Sequence, residues 1–110
     1  MTLSERECIP CRKGTVPLSA EAAQALLKEI PGWHIVEDEK WLEKNYTFKN
    51  FSDALRFVNL VGETAERQHH HPDITLGWGY TGIRLQTHAA GGLHENDFIL
   101  AAKLDGISGI

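Results

Sequence analysis

The chain reads as an α+β domain: a four-stranded antiparallel sheet with three α-helices packed on one face, in the order α-β-β-α-β-β-α. Three observations carry that reading. Apolar residues recur at helical spacing in three separate segments, they alternate in four short ones, and each pair of alternating segments is joined by a turn too short for a crossover. With 110 residues, 42% of them hydrophobic, there is material for one modest core and no second domain.

Residues 1–16 show no hydrophobic periodicity and carry Pro10 and Gly14, so they read as an arm outside the core, leaving 17–110 as the domain. Ser19 is a good N-cap, Glu21 follows in the first turn, and Leu18, Ala22, Ala25, Leu26 and Ile30 form the apolar stripe of a first helix that Pro31-Gly32 ends. Trp33 to Glu37 and Trp41 to Phe48, around Asp38-Glu39, form a hairpin with Leu42, Tyr46 and Phe48 on one face.

A second helix, capped at Asn50 or Ser52, carries Phe51, Ala54, Leu55, Val58, Val61 and Ala65 on its stripe. Pro72 disfavours helical geometry at His71, so this helix ends within the run His69-His70-His71. Ile74, Leu76, Trp78 and Tyr80 alternate in a third strand, Thr81-Gly82 supplies a turn, and Ile83, Leu85 and Thr87 alternate in a fourth, which ends at His88. Ala89 to Gly92 is a flexible connection, Leu93 to Leu104 a third helix, and Asp105 to Ile110 a frayed end. Such a sheet leaves an open face and two edge strands, which self-association would cover.

The formal net charge of -4 and the absence of any basic stripe argue against nucleic acid as a partner. No apolar run reaches the roughly 18 to 20 residues that span a bilayer, and Met1 to Pro10 lacks the order of a signal peptide, so a cytoplasmic protein acting on a small molecule is expected.

The histidine run is the chemically loaded stretch. Imidazole exchanges protons near neutral pH and ligates metals when neutral. Three adjacent histidines cannot converge on one ion at a helix end, which weighs against a local metal cage; a solvated turn is the bland alternative. His88 lies where it could meet His70 and His71. Glu66, four residues before His70, is placed to orient that imidazole, although exposed Glu/His pairs are common on helices. His34 and His94 read as surface residues. Cys8 and Cys11 form half a zinc site or a redox pair without a fold around it, so an inert arm is expected.

Glu66, His70-His71-Pro72, Trp78, His88 and Asp97, at these spacings, resemble the signature of the pterin-4a-carbinolamine dehydratase family, with a resemblance running from Leu18 to about Gly106. The resemblance implies the α+β fold read above, a homodimer or homotetramer, and dehydration of 4a-hydroxytetrahydrobiopterin to quinonoid dihydropterin in tetrahydrobiopterin recycling. It also implies histidine acid-base catalysis with no cofactor and no metal. By that resemblance His70, His71 and His88 are catalytic, with His71 and His88 serving the 4a-hydroxyl and His70 lying near N5. Glu66 would orient a histidine, and Asp97 would support the site or the third helix's first turn. Trp78 and Pro72 are the implied substrate contacts, with the core as the bland place for Trp78, and His69 falls on a variable position facing solvent. The alternative function is a non-catalytic assembly or dimerisation factor on the same fold, such as one assisting rubisco assembly.

Overall fold

The computed structural model describes residues 2–108. Met1 of the expected arm, and Gly109 and Ile110 of the expected frayed end, lie outside the described residues. The described residues form α1 (Ala20–Leu27), β1 (His34–Val36), β2 (Trp41–Thr47), α2 (Phe51–Gln68), β3 (Asp73–Gly77), β4 (Tyr80–Leu85) and α3 (Glu95–Ser108), with short 3-10 turns at Leu3–Glu5 and His88–Ala90. The strands run β1-β2-β4-β3, every neighbour antiparallel. β1 and β2 are joined by a hairpin, as are β3 and β4. α2 carries the chain from β2 to β3, leaving β4 between the two halves.

Local chemistry sets the helix ends. The Ser19 hydroxyl accepts from Ala22 N and the Asn50 side chain from Asp53 N, each satisfying a donor that the first helical turn leaves open. α3 starts at Glu95, two residues later than the apolar pattern indicates, because His94 caps it: its Nδ1 accepts from Asn96 N at 3.1 Å, while the Asp97 carboxylate accepts from His94 N at 3.0 Å. This is a reciprocal cap in the manner of a capping box.

Two sequence expectations about turns and ends change. The second hairpin turns at Trp78-Gly79, with Gly77 paired to Tyr80, and Thr81-Gly82 lies inside β4. Gly82 is small because its neighbours are close: a Cβ there would lie 2.9 Å from Asn45 Oδ1 on β2. Gly79 does the turning, with φ +81. Trp78 consequently leaves the alternating face and is 72% exposed at the hairpin tip, so it is not a core residue. At the other end, α3 runs through Asp105 to Ser108 instead of fraying.

The core lies between the helices and one sheet face, where Leu42, Tyr46, Ile83 and Leu85 meet Phe57, Val61, Phe98, Leu100 and Leu104. Rings of Trp33, Tyr46, Phe57 and Phe48 stack in succession, with centroids 4.6 to 6.3 Å apart. The arm is not outside this core: Leu3 is buried in it, Lys103 Nζ donates to Ser4 O, and Arg6 pairs with Glu95. Among the described residues no helix is long and apolar enough to cross a membrane.

Asp105, on the last turns of α3, accepts from Trp33 Nε1, Lys44 Nζ and the Tyr46 hydroxyl, tying helix to sheet. Burial first, and then the Asp105 hydrogen bond and charge, push the Tyr46 phenol above its ordinary 10.0. A phenol that holds its proton more tightly folded than unfolded stabilises the fold below pH 10, and that stabilisation is lost as pH rises further. Urea titrations above pH 10 are expected to show unfolding free energy falling by up to about 1.4 kcal/mol per pH unit from this group, a slope that Tyr46→Phe removes.

Candidate active site

The site is built where α2 ends. Its last residue is Gln68, and His69 takes the left-handed conformation with φ 54. His70 N donates to Ala65 O and His69 N to Glu66 O, the hydrogen-bond pair of a Schellman motif. His69 thus fills a position usually given to glycine or asparagine, one that histidine tolerates better than most side chains. Its ring is exposed, as expected, while its backbone turns the chain.

That turn decides which carboxylate holds which imidazole. After a left-handed residue His70 no longer stacks one helical turn above Glu66, so the expected Glu66–His70 pair does not form. His71 Nε2 donates to Glu66 instead, out in solvent. The His70 ring turns inward, and its Nε2 donates to Asp97 Oδ1 at 2.6 Å. A carboxylate only accepts, so each contact puts a proton on Nε2 and leaves Nδ1 as the nitrogen that exchanges one.

Asp97 is fully buried and the His70 side chain only 12% exposed. The other Asp97 oxygen accepts from the Thr87 hydroxyl at 2.8 Å and from His94 N. One carboxylate therefore joins the exit of α2, the segment that follows β4 and the start of α3. Asp97 thus supports the first turn of α3 through His94 N and holds the His70 ring in place.

His88 stands one residue past Thr87. It opens the 3-10 turn at His88–Ala90 and does not end a strand, since β4 stops at Leu85. The connection expected to be flexible is closed by backbone pairing of Thr87 with Gly92, with Gly91 at φ 69. The exposed His88 ring lies edge-on to Trp41, with centroids 6.4 Å apart, and the Arg84 guanidinium lies 4.5 Å from the Trp41 ring on the open sheet face.

His69, His70, His71 and His88 line one cleft of about 250 Å³ together with Gln86, Thr87, Ala89, Asn96, Ile9 and Cys11. Pro72 is not in the lining; it directly precedes β3, where its ring disfavours helical geometry at His71. Trp78 also lies outside this lining, at the far end of β3, about 17 Å of strand away. Sequence reading missed Thr87, Asn96 and the arm. The visible signal was the polar run His94-Glu95-Asn96-Asp97 before Phe98-Ile99-Leu100, since polar residues adjoining a fully apolar turn need buried partners.

Cys8 and Cys11 are free thiols, and the arm that carries them is held against α3. Burial pushes the Cys8 thiol up to about 12 and raises Cys11 as well, so neither is poised as a thiolate. Among the described residues no three His, Cys, Asp or Glu side chains are grouped to hold a metal ion.

The family model described as pterin 4 alpha carbinolamine dehydratase matches residues 16–107, and the chain belongs to that family. It is 48% identical over 107 residues to a protein of Halorhodospira halophila, covering 97% of this chain and 98% of the relative. It is 50% identical over 103 residues to one of Rubrobacter xylanophilus, covering 94% of this chain and 95% of the relative. Both relatives are provisionally named pterin-4-alpha-carbinolamine dehydratases. A crystal structure described as a transcriptional coactivator/pterin dehydratase from Brucella melitensis superposes with TM-score 0.80 at 28% identity, over 84% of this chain and 99% of that one. A pterin dehydratase-like protein described as a RuBisCO assembly factor in the alpha-carboxysome shares the fold, with TM-score 0.63 at 23% identity, over 71% of this chain and 90% of that one.

The two carboxylates should differ sharply in their stability effects. Asp97→Ala leaves a buried histidine, hydroxyl and amide without their acceptor and is expected to cost about 3–5 kcal/mol in urea unfolding. Glu66→Ala, at a solvent-exposed pair, is expected to cost under about 1 kcal/mol.

Proposed function

We propose that this cleft dehydrates a 4a-hydroxytetrahydropterin, with 4a-hydroxytetrahydrobiopterin as the physiological form, to the quinonoid dihydropterin by histidine acid-base catalysis. The observation that carries the reading is the convergence of His70, His71 and His88 on one cleft, two of them with Nε2 committed to a carboxylate.

The reaction breaks the C4a–O bond and makes the C4a=N5 double bond. One proton goes to the departing hydroxyl, which leaves as water, and one proton comes off N5. The balance closes with a proton donor and a proton acceptor and no change in electron count, so imidazoles suffice. His70 suits the N5 proton, because the buried Asp97 stabilises the imidazolium that forms. His71 and His88 stand in reach of solvent and suit delivery to the hydroxyl and exchange with water. Glu66 orients His71 in this scheme, and Asp97 orients His70.

The same reading makes the protein a cytoplasmic homodimer or homotetramer in tetrahydrobiopterin recycling; the exposed Ile74 on edge strand β3 and Tyr80 on β4 supply apolar surface for association.

Stopped-flow absorbance of enzymatically generated 4a-hydroxytetrahydropterin, at neutral pH and without added metal, tests the reaction. Wild type should accelerate dehydration over the spontaneous rate, and folded His71→Ala and His88→Ala variants should lose about 100- to 10,000-fold of kcat/KM. A well-folded wild type that leaves the spontaneous rate unchanged would sink the catalytic reading in favour of a scaffold.

A further inference from the structure

The arm preceding residue 16 lies outside the matched family model, yet it forms part of the histidine cleft. It is held there by Asn96, a side chain only 2% exposed. Ile9 N donates to Asn96 Oδ1 at 3.0 Å, and Asn96 Nδ2 donates to Ile9 O at 2.6 Å and to Cys11 Sγ at 3.3 Å. Cys8 N donates to Gln68 Oε1 at 2.9 Å, so the segment is pinned to the end of α2 as well. Asn96 adjoins Asp97, so a single turn of α3 positions both the proton-carrying His70 and the arm. What this buried amide holds in place is an isoleucine that is 60% exposed at the cleft.

We infer that Ile9 and Cys11 are specificity-determining residues of the cleft, contacting the substituent that a pterin carries at C6; the inference rests on the pterin reading above. The pyrimidine edge of a pterin presents an amino group, a ring N–H and a carbonyl, all of which require strong hydrogen-bond partners. An alkyl side chain and a thiol supply none of that strength. C6 is bonded directly to N5, so the carbon chain it carries stays near the histidines once the reacting atoms are placed, and its carbon atoms suit this wall. Burial raises the Cys11 thiol, which keeps it neutral and compatible with that role.

The test is a fluorescence titration of wild type, Ile9→Ala and Ile9→Ala/Cys11→Ala with two oxidised, unreactive ligands: biopterin, with a dihydroxypropyl group at C6, and pterin, with hydrogen there. Wild type should prefer biopterin, and the variants should weaken biopterin about tenfold while leaving pterin unchanged. Ile9 is exposed, so its truncation should leave the melting temperature near that of wild type. Equal weakening of both ligands, or none, overturns the assignment. A retained preference accompanied by a smaller mass in light scattering also overturns it, by placing Ile9 against a second copy. If wild type binds neither ligand, the pterin reading falls and takes this inference with it; if wild type binds biopterin and the variants match it, the pterin reading stands and the arm loses its role.

Discussion

Asp97 is a buried carboxylate that receives hydrogen bonds from His70, Thr87 and His94, three donors at the exit of α2, beyond β4 and at the start of α3. A carboxylate removed from water is costly unless donors surround it. The exit of α2, the segment that follows β4 and the cap of α3 must therefore arrive together for any of them to be satisfied. The cleft is the outer surface of that junction. His70 is fixed by it directly, His88 by following Thr87, and the arm by gripping Asn96.

The junction explains a division among the histidines. His70 is sheltered and its partner is sealed from solvent, whereas His71 and Glu66 pair in the open and His88 rests against Trp41 at the surface. The proposed dehydration needs one proton taken and one delivered, with water leaving, and a site that is closed on one side and wet on the other would accommodate both. Stability and chemistry also separate here. Removing an exposed histidine disturbs little packing, while removing Asp97 disturbs the fold and the geometry together.

A second polar hub, Asp105, performs the equivalent task at the opposite end of α3. It gathers donors from Trp33, Lys44 and Tyr46 and so anchors the helix across β2. With Asp97 in its first turn and Asp105 in its last turns, α3 is located at both ends by hydrogen bonds, and its fully buried Phe98, Leu100 and Leu104 fill the space between. Hydrophobic burial supplies the driving force, but it has no direction; the two carboxylates set the position along the axis on which the cleft depends.

The order of elements, both hairpins, the caps at Ser19 and Asn50 and the helix exit within the histidine run were legible in the sequence, because periodicity and capping are local properties of a few adjacent residues. His70, His71 and His88, singled out through the resemblance to a family signature, line one cleft. The turn of β3–β4 was misplaced because Gly82 carries the same local signal as Gly79, and only the close approach of Asn45 shows that its smallness serves packing. The partner of each histidine was hidden as well. Helical spacing assigns Glu66 to His70, but one left-handed residue at His69 exchanges the partners, and Asp97 stands 27 residues away along the chain. The arm looked inert since its anchors, Asn96 and the core around Leu3, are remote in sequence. Local pattern thus determined what the elements are and which titratable groups gather at the exit of α2; tertiary contact decided which carboxylate holds which imidazole and what walls the cleft, because hydrogen bonds between distant residues leave no period in the sequence.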